Sequence, residues 1–350
     1  MNDRRTLAAL AAALLLAGSA PAPSRACDSP AEARLEALPA LLTGLNALDE
    51  LELASEGRAT RTERTIEVKL GSSLELSNFA GDIVVRTVSG NRVRVIASHS
   101  AREHITLRTE GSKLVVDCES DRMVPASVHY ELAVPEWMDL DLSGVNSDIT
   151  IEGGKGEVKA ETVQGDIDLV RSSGPATLST VQGEVRVERS RGRVEASAVN
   201  GPVRIDGADG AIVAESVNGD IVLQGISSDS VDASTVNGPV RFAGRIQAHG
   251  LYRLASHNGS IRMAVPEGAG ARVLISTYRG GFESSFPVNA TEKKKGREYV
   301  IQLGSGGAVV NLETFQGRVL LYRPGEPVPG ESDHEQEIRK DAEEDSEDDE

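Results

Sequence analysis

The chain repeats itself about every 18 residues, and no other feature limits its fold so strongly. Thr162-Val163-Gln164-Gly165-Asp166-Ile167-Asp168-Leu169 returns as Thr180-Val181-Gln182-Gly183-Glu184-Val185-Arg186-Val187 and as Ala198-Val199-Asn200-Gly201-Pro202-Val203-Arg204-Ile205. It returns again from Ser216 to Leu223 and from Thr235 to Phe242. Gly165, Gly183, Gly201, Gly219, Gly238 and Gly259 are 18, 18, 18, 19 and 21 residues apart. A period of this length implies one coil per repeat, each unable to bury its apolar face without its neighbours. Weaker copies lie at Ala80-Gly81-Asp82, Asn146-Ser147-Asp148, Arg279-Gly280 and Gln316-Gly317.

Aligned at this period, five columns are apolar. Val158, Ala176, Val194 and Ile212 form the first, and Ala160, Leu178, Ala196 and Ala214 the second. Val163, Val181, Val199, Val217 and Val236 form the third. Ile167, Val185, Val203, Ile221 and Val240 form the fourth; Leu169, Val187, Ile205, Leu223 and Phe242 form the fifth. All five are read as inward. The positions between them are polar and variable, as in Lys159/Thr177/Glu195 and Asp168/Arg186/Arg204. Two alternating strands per coil account for the pattern. The predicted fold is all-β: a single-chain parallel β-solenoid (β-helix-like) with coils of about 18–21 residues. A meander of hairpins is its rival, because Asn-Gly also favours two-residue hairpin turns. A register held without drift favours the solenoid. Aromatic residues are only 3% of the chain, which suits a thin core of small and β-branched side chains.

The candidate structural turn positions are Gln164, Gly165, Gln182, Gly183, Asn200, Gly201, Asn218, Gly219, Asn237, Gly238, Asn258 and Gly259. Glycine takes positive φ without steric cost, and Asn tolerates it better than most residues. Asn200, Asn218 and Asn237 are expected to form a ladder of amide hydrogen bonds along the axis. Gly174, Gly192 and Gly210 mark the second turn of each coil.

The termini differ from the repeats. Arg4 and Arg5 precede an apolar run from Leu7 to Ala17 and a small-residue stretch, so residues 1–26 read as an export signal, cleaved after Ala20 or Ala26. Cys27 follows Ala26, but Arg25 stands where a lipid-attachment box needs a small residue, which argues against a lipid anchor there. Residues 27–58 form a leader. In it Leu35, Leu38, Leu42, Leu45 and Leu48 follow helical spacing broken by Pro39 and Gly44, predicting a short amphipathic helix packed over one end of the next domain. The solenoid is expected over 59–325. Residues 326–350 are expected to be a disordered acidic tail, with twelve acidic side chains between Glu331 and Glu350 against Arg339 and Lys340. No later segment is long and apolar enough to span a membrane as a helix. A formal net charge of −17 argues against non-specific nucleic-acid binding. Cys27 and Cys118 are able to pair in an oxidising compartment, although sequence does not place the two sulfurs together.

Val134-Pro135-Glu136, Val145-Asn146-Ser147-Asp148-Ile149-Thr150-Ile151 and the repeated Thr/Ser-Val-Asn/Gln-Gly-Asp-Ile units are followed by Val265-Pro266-Glu267-Gly268-Ala269 and Thr314-Phe315-Gln316-Gly317. Together they resemble a widespread bacterial adhesin-like family, a domain of unknown function with a β-solenoid fold, over roughly Thr65 to Tyr322. The resemblance implies an extracytoplasmic repeat domain without an established enzymatic activity, and it carries over no functional residues.

Motifs for chemistry are sparse. The six histidines form no His-Glu-x-x-His pattern, and His99 and His104 are read as surface residues. There is no Gly-x-Ser-x-Gly elbow and no Walker loop; Gly304-Ser305-Gly306-Gly307 reads as a turn before a strand. Asp82, Asp166 and Asp220 follow turn residues, but Pro202 and Pro239 share their column, which argues against a calcium ladder. Lys293-Lys294-Lys295-Gly296-Arg297 reads as a solvated loop, with acidic glycans or lipid headgroups as its alternative partners. No cofactor, no metal and no catalytic residue is expected. The sequence therefore points to a non-enzymatic structural, adhesin-like or ligand-binding module of the envelope, periplasmic, cell-surface or secreted, with an envelope protein or glycan as partner. The alternative is a polysaccharide-active β-helix lyase or hydrolase, which needs a cleft of clustered carboxylates or a calcium site.

Overall fold

The computed structural model describes residues 60–120, 127–294 and 297–326. The expected export signal, the leader with its helix and the acidic tail beyond Glu326 lie outside these residues. The described chain contains 27 strands and no helix. They form two sheets, of 14 and 13 strands. Each coil places one long strand in the first sheet and one short strand in the second. Val158–Gln164, Ala176–Gln182, Val194–Asn200, Ile212–Asn218 and Ser230–Asn237 are parallel neighbours in the long-strand sheet. Ile167–Val170, Val185–Glu188, Val203–Asp206, Ile221–Ile226 and Val240–Gly244 are parallel neighbours in the short-strand sheet. The register equals the repeat: Val158 lies beside Ala176, Ala176 beside Val194 and Val194 beside Ile212. This is a parallel-dominated β-solenoid, not a meander of hairpins.

The core lies between the two sheets. Four of the five apolar columns line it, and their members are fully or almost fully buried. At roughly 1.5–3 kcal/mol for each large buried side chain, a coil is held mainly by the coils above and below it.

The third column is a correction. Val163, Val199, Val217 and Val236 are 38%, 37%, 41% and 43% exposed. Side chains alternate along a strand, so position 162, not 163, shares a face with 158 and 160. The inward residues are Thr162, Thr180, Ala198, Ser216, Thr235 and Ser256. Except at Ala198, which has none, their hydroxyls serve the corner carbonyls of the preceding coil. Thr180 Oγ1 donates to Gly165 O at 3.0 Å, Ser216 Oγ to Gly201 O at 3.1 Å and Thr235 Oγ1 to Gly219 O at 2.9 Å. A buried carbonyl needs such a donor, which explains a polar column inside an apolar core.

The corner glycines serve close approach as much as turning. A Cβ on Gly201 would overlap the carbonyl of Gly183, and one on Gly219 would overlap that of Gly201. The coils therefore stack at this corner with no room for any side chain.

Both ends depart from a simple stack. At one end, Thr60–Glu67 and Arg92–His99 run antiparallel, as do Glu103–Glu110 and Lys113–Ser120. There the coil built from Ser73–Ala80 and Ile83–Val88 sits between a later coil, Lys113–Ser120 with His129–Pro135, and the coil Asp139–Asn146 with Ile149–Glu152. At the other end, Ala308–Thr314 lies between Leu251–Asn258 and Ala271–Thr277. Val319–Tyr322 likewise lies between Ile261–Ala264 and Phe282–Ser284. The hairpin Ala290–Lys294 and Glu298–Leu303 closes the long-strand sheet.

Candidate interaction surface

The alternation that buries Thr162 turns Val163 outward, and the same holds in every coil. The result is a row of apolar and aromatic side chains on the outer face of the long-strand sheet, beside the corner. In spatial order it begins with Phe79 and Val145, continues through the five valines of the third column, and ends in His257, Phe315 and Tyr278. Ten strands at about 4.8 Å spacing give it a length of about 43 Å. The column alongside it is mostly serine, with Ser77 Oγ 2.8 Å from Ser143 Oγ and Ser197 Oγ donating to Ser179 Oγ at 3.1 Å, and is interrupted by Glu161, Glu215 and Glu313.

The amide side chains occupy the next position, at the corner itself. Asn218 Nδ2 donates to Asn200 Oδ1 at 2.8 Å, Asn237 Nδ2 to Asn218 Oδ1 at 2.7 Å and Asn258 Nδ2 to Asn237 Oδ1 at 2.8 Å. Gln164 Nε2 donates to Gln182 Oε1 at 3.0 Å. Each bond joins adjacent coils, so the ladder follows directly from the in-register stack. Gly165, Gly183 and Gly238 have φ of +136°, +149° and +151°. Gly201, Gly219 and Gly259 hold the same corner position, each with a Cβ direction blocked by the preceding coil.

Around the corner, on the short-strand side, the recurrent carboxylates act on the protein's own backbone. Asp148 Oδ1 accepts the amide of Asp166 at 2.9 Å, and Asp166 Oδ1 accepts the amide of Glu184 at 2.7 Å. The next residue in that column, Pro202, has no amide hydrogen to donate. Glu184 turns instead to guanidinium groups: Arg186 donates to its Oε1 at 3.2 Å, and Arg204 pairs with the same oxygen. Burial pushes the Glu184 carboxyl up, but the hydrogen bond and charge of Arg204, helped by Arg186, hold it below the usual carboxylate range. Its neighbour Asp168 moves the other way, because burial outweighs the charge of Arg186.

Residues 71–321 match the Toastrack DUF4097 family. The chain belongs to that family. No curated protein matches it. Among solved structures it is similar to a "putative lipid binding protein" from Parabacteroides distasonis, at 10% identity over 76% of this chain and 98% of that one, with a TM-score of 0.37. A "putative adhesin" from the same organism is also 10% identical, over 76% and 98%, with a TM-score of 0.34. A "putative adhesin" from Bacteroides fragilis is 12% identical over 75% and 97%, with a TM-score of 0.31.

The apolar row of this Toastrack domain ends in a feature that the repeats had not foreshadowed. His257 and Phe315 stack with centroids 4.7 Å apart and planes 4° off parallel, and Phe315 and Tyr278 stack at 4.7 Å and 5°. The Arg297 guanidinium covers the outer face of Tyr278, 4.6 Å from its centroid. A groove of about 640 Å³ lies beside this stack, walled also by Glu298 and Glu313. All three rings occupy the third column of the weaker repeats, so aligning those copies locates them. Their order, with Phe315 in the middle, is set only by the returning C-terminal coil.

Other candidates fall elsewhere. His99 is a correction to the surface reading: it is 7% exposed, 2.8 Å from Thr62 Oγ1 and 2.7 Å from the Ser100 carbonyl. Its neighbour His104 is exposed. In the basic run, Lys293 belongs to a strand rather than to a loop, and Arg297 is committed to Tyr278. Cys118 is half-buried, and burial, then the nearby Glu103, pushes its thiol up. Among the described residues no group of three or more His, Cys, Asp or Glu side chains is placed to hold a metal ion.

Proposed function

We propose that this chain is an exported, non-enzymatic β-solenoid whose outer long-strand face is an adhesin-like, ligand-binding surface of the bacterial envelope. The observation that carries this reading is the continuous row of apolar and aromatic side chains, about 43 Å long, beside the amide ladder. Soluble proteins rarely leave a contiguous apolar strip of such length uncovered unless something binds there. The ladder offers the remaining amide hydrogens and lone pairs of Gln and Asn to a polar partner. The export signal read in residues 1–26 supports the location. At this corner the carboxylates of Asp148 and Asp166 accept backbone amides and that of Glu184 pairs with two arginines, so these three serve the fold rather than acid–base chemistry on a sugar. A glycan or an envelope protein is the expected partner.

The test uses the chain without its first 26 residues against bacterial and host polysaccharides, reading binding and product release together. Binding without product, weakened at least tenfold by the double substitution Val199→Glu and Val217→Glu, is the expected outcome. Release of shortened or unsaturated sugars would overturn the non-enzymatic reading. Binding unchanged by the double substitution would move the site off this face. Absence of polysaccharide binding would leave an envelope protein as the partner to seek.

A further inference from the structure

We infer that the C-terminal coil is a separable closing piece, and that the slot it fills also accepts the same coil from a second copy of this chain. The inference begins with chain order. After Leu251–Asn258 and Ile261–Ala264 the chain does not stack its next coil directly on them. It crosses an open position through residues 265–270, lays down Ala271–Thr277 and Phe282–Ser284, and forms the hairpin that ends at Leu303. Only then does it return to insert Ala308–Thr314 and Val319–Tyr322 between strands already in place. Until that insertion, four strands present unpaired edges to the slot.

The slot is specific for its occupant. Val310, Leu312, Val319 and Leu321 are buried in it. Gly317 fits against the carbonyl of Gly259, and Gly280 against that of Gly317, with no room for a Cβ at either. Arg323 then fastens the coil: its Nη1 donates to Val265 O and Pro266 O, both at 2.9 Å, and its guanidinium rests 3.9 Å from the centroid of Phe286. These contacts select this sequence, so the matching donor is another copy of the chain.

One link joins the coil to what precedes it. Gly304-Ser305-Gly306-Gly307 has positive φ at Gly304, Gly306 and Gly307, of +52°, +76° and +130°. Such a glycine hinge is able to open without strain elsewhere. Among the described residues no strand follows Tyr322. Exchange of the coil between two molecules rebuilds every strand pairing and every contact of the closed form, and only the hinge changes conformation. That is the condition for domain swapping and for strand donation between chains.

The hinge length makes the proposal testable. Leu303 and Ala308 both have Ala271 as their register partner, on its opposite sides. The hinge therefore crosses two strand spacings, about 9.6 Å. Deleting Ser305, Gly306 and Gly307 leaves two Cα steps, about 7.6 Å, which is too short to cross. Light scattering is expected to show a dimer in place of a monomer. A second arm does not depend on that variant folding. With Cys27 and Cys118 replaced by Ser, one tagged chain carries Leu251→Cys and a differently tagged chain carries Val309→Cys, two exposed residues that are register partners. After the two are refolded together at high concentration, a disulfide between the tags is expected well above the level given by Val309→Cys mixed with Lys159→Cys. The same two cysteines in one chain close within it and report on geometry. A folded monomer from the deletion, or a cross-chain disulfide no stronger than the out-of-register control while the single-chain pair closes, would overturn the proposal. Neither readout involves a glycan or a cell, so the result stands apart from that of the surface-binding test.

Discussion

The middle of the solenoid and its C-terminal end are built from the same unit under different rules. From Asp139 to Gly244 the order of coils in space is the order in sequence, and each residue pairs with its own repeat. From Leu251 onward the order breaks, antiparallel strands appear, and the last coil enters between two earlier ones. The difference shows what a repeat supplies and what it lacks. Identical coils stack indefinitely, because each offers its neighbour the same edge. An end has no neighbour, so its edges must be covered by something the period does not encode. Here the chain covers them with hairpins and intercalated coils.

Glycine substitutions put the comparison at greatest risk. In the middle, Gly219→Ala drives a Cβ into the backbone carbonyl of Gly201, which no rotamer relieves. A loss of about 3 kcal/mol or more is expected in urea denaturation. At the end, Gly268 has φ of +74° in the crossing loop but open space around it, so Gly268→Ala should cost only about 1 kcal/mol, the penalty of a left-handed conformation. Equal losses at the two sites would show that close stacking of coils is not what demands glycine in the middle.

The next contrast lies between adjacent residues. Thr180→Val leaves the carbonyl of Gly165 without its donor and should cost about 1–3 kcal/mol. Val199→Ser alters an outward residue and should change stability by no more than about 0.5 kcal/mol. The reverse order in denaturation midpoints would put the valine column back in the core.

The smallest effects are electrostatic and depend on pH. Because Glu184 is held below its ordinary value, its ionised form stabilises the fold at neutral pH. That contribution is present above the ordinary value of 4.5 and fades as pH falls through the lower folded value. Glu184→Gln should therefore lower the Tm at pH 7, with the gap narrowing in acid. Asp168 has the opposite sign, since burial raises it, so its charge costs stability at neutral pH. Asp168→Asn should raise the Tm at pH 7 and lose that gain below its ordinary value of 3.8. Parallel Tm curves for the two variants across this range would contradict the burial and pairing assigned to them.

Much of the site is legible in the sequence. The amide and glycine positions recur at a constant interval, and an in-register stack necessarily brings Asn200, Asn218 and Asn237 together. The facing of Val163 was legible too, because strand alternation cannot place 158, 160 and 163 on one side. Apolar character at all three concealed that parity, and only the hydroxyl at Thr162 marked it. The neighbour of Arg279-Gly280 was not legible. Its spacing of 21 from Gly259 looks like one more coil, yet Gly317 lies between them. By itself, then, the sequence determined the coil: its period, its corners, its two strands and the ladder that follows from stacking like on like, all of which are local or nearest-neighbour properties. Tertiary structure alone decided the ends. Which strand covers an exposed edge depends on competition among distant segments for the same unpaired backbone, and a repeat carries no record of how that competition comes out.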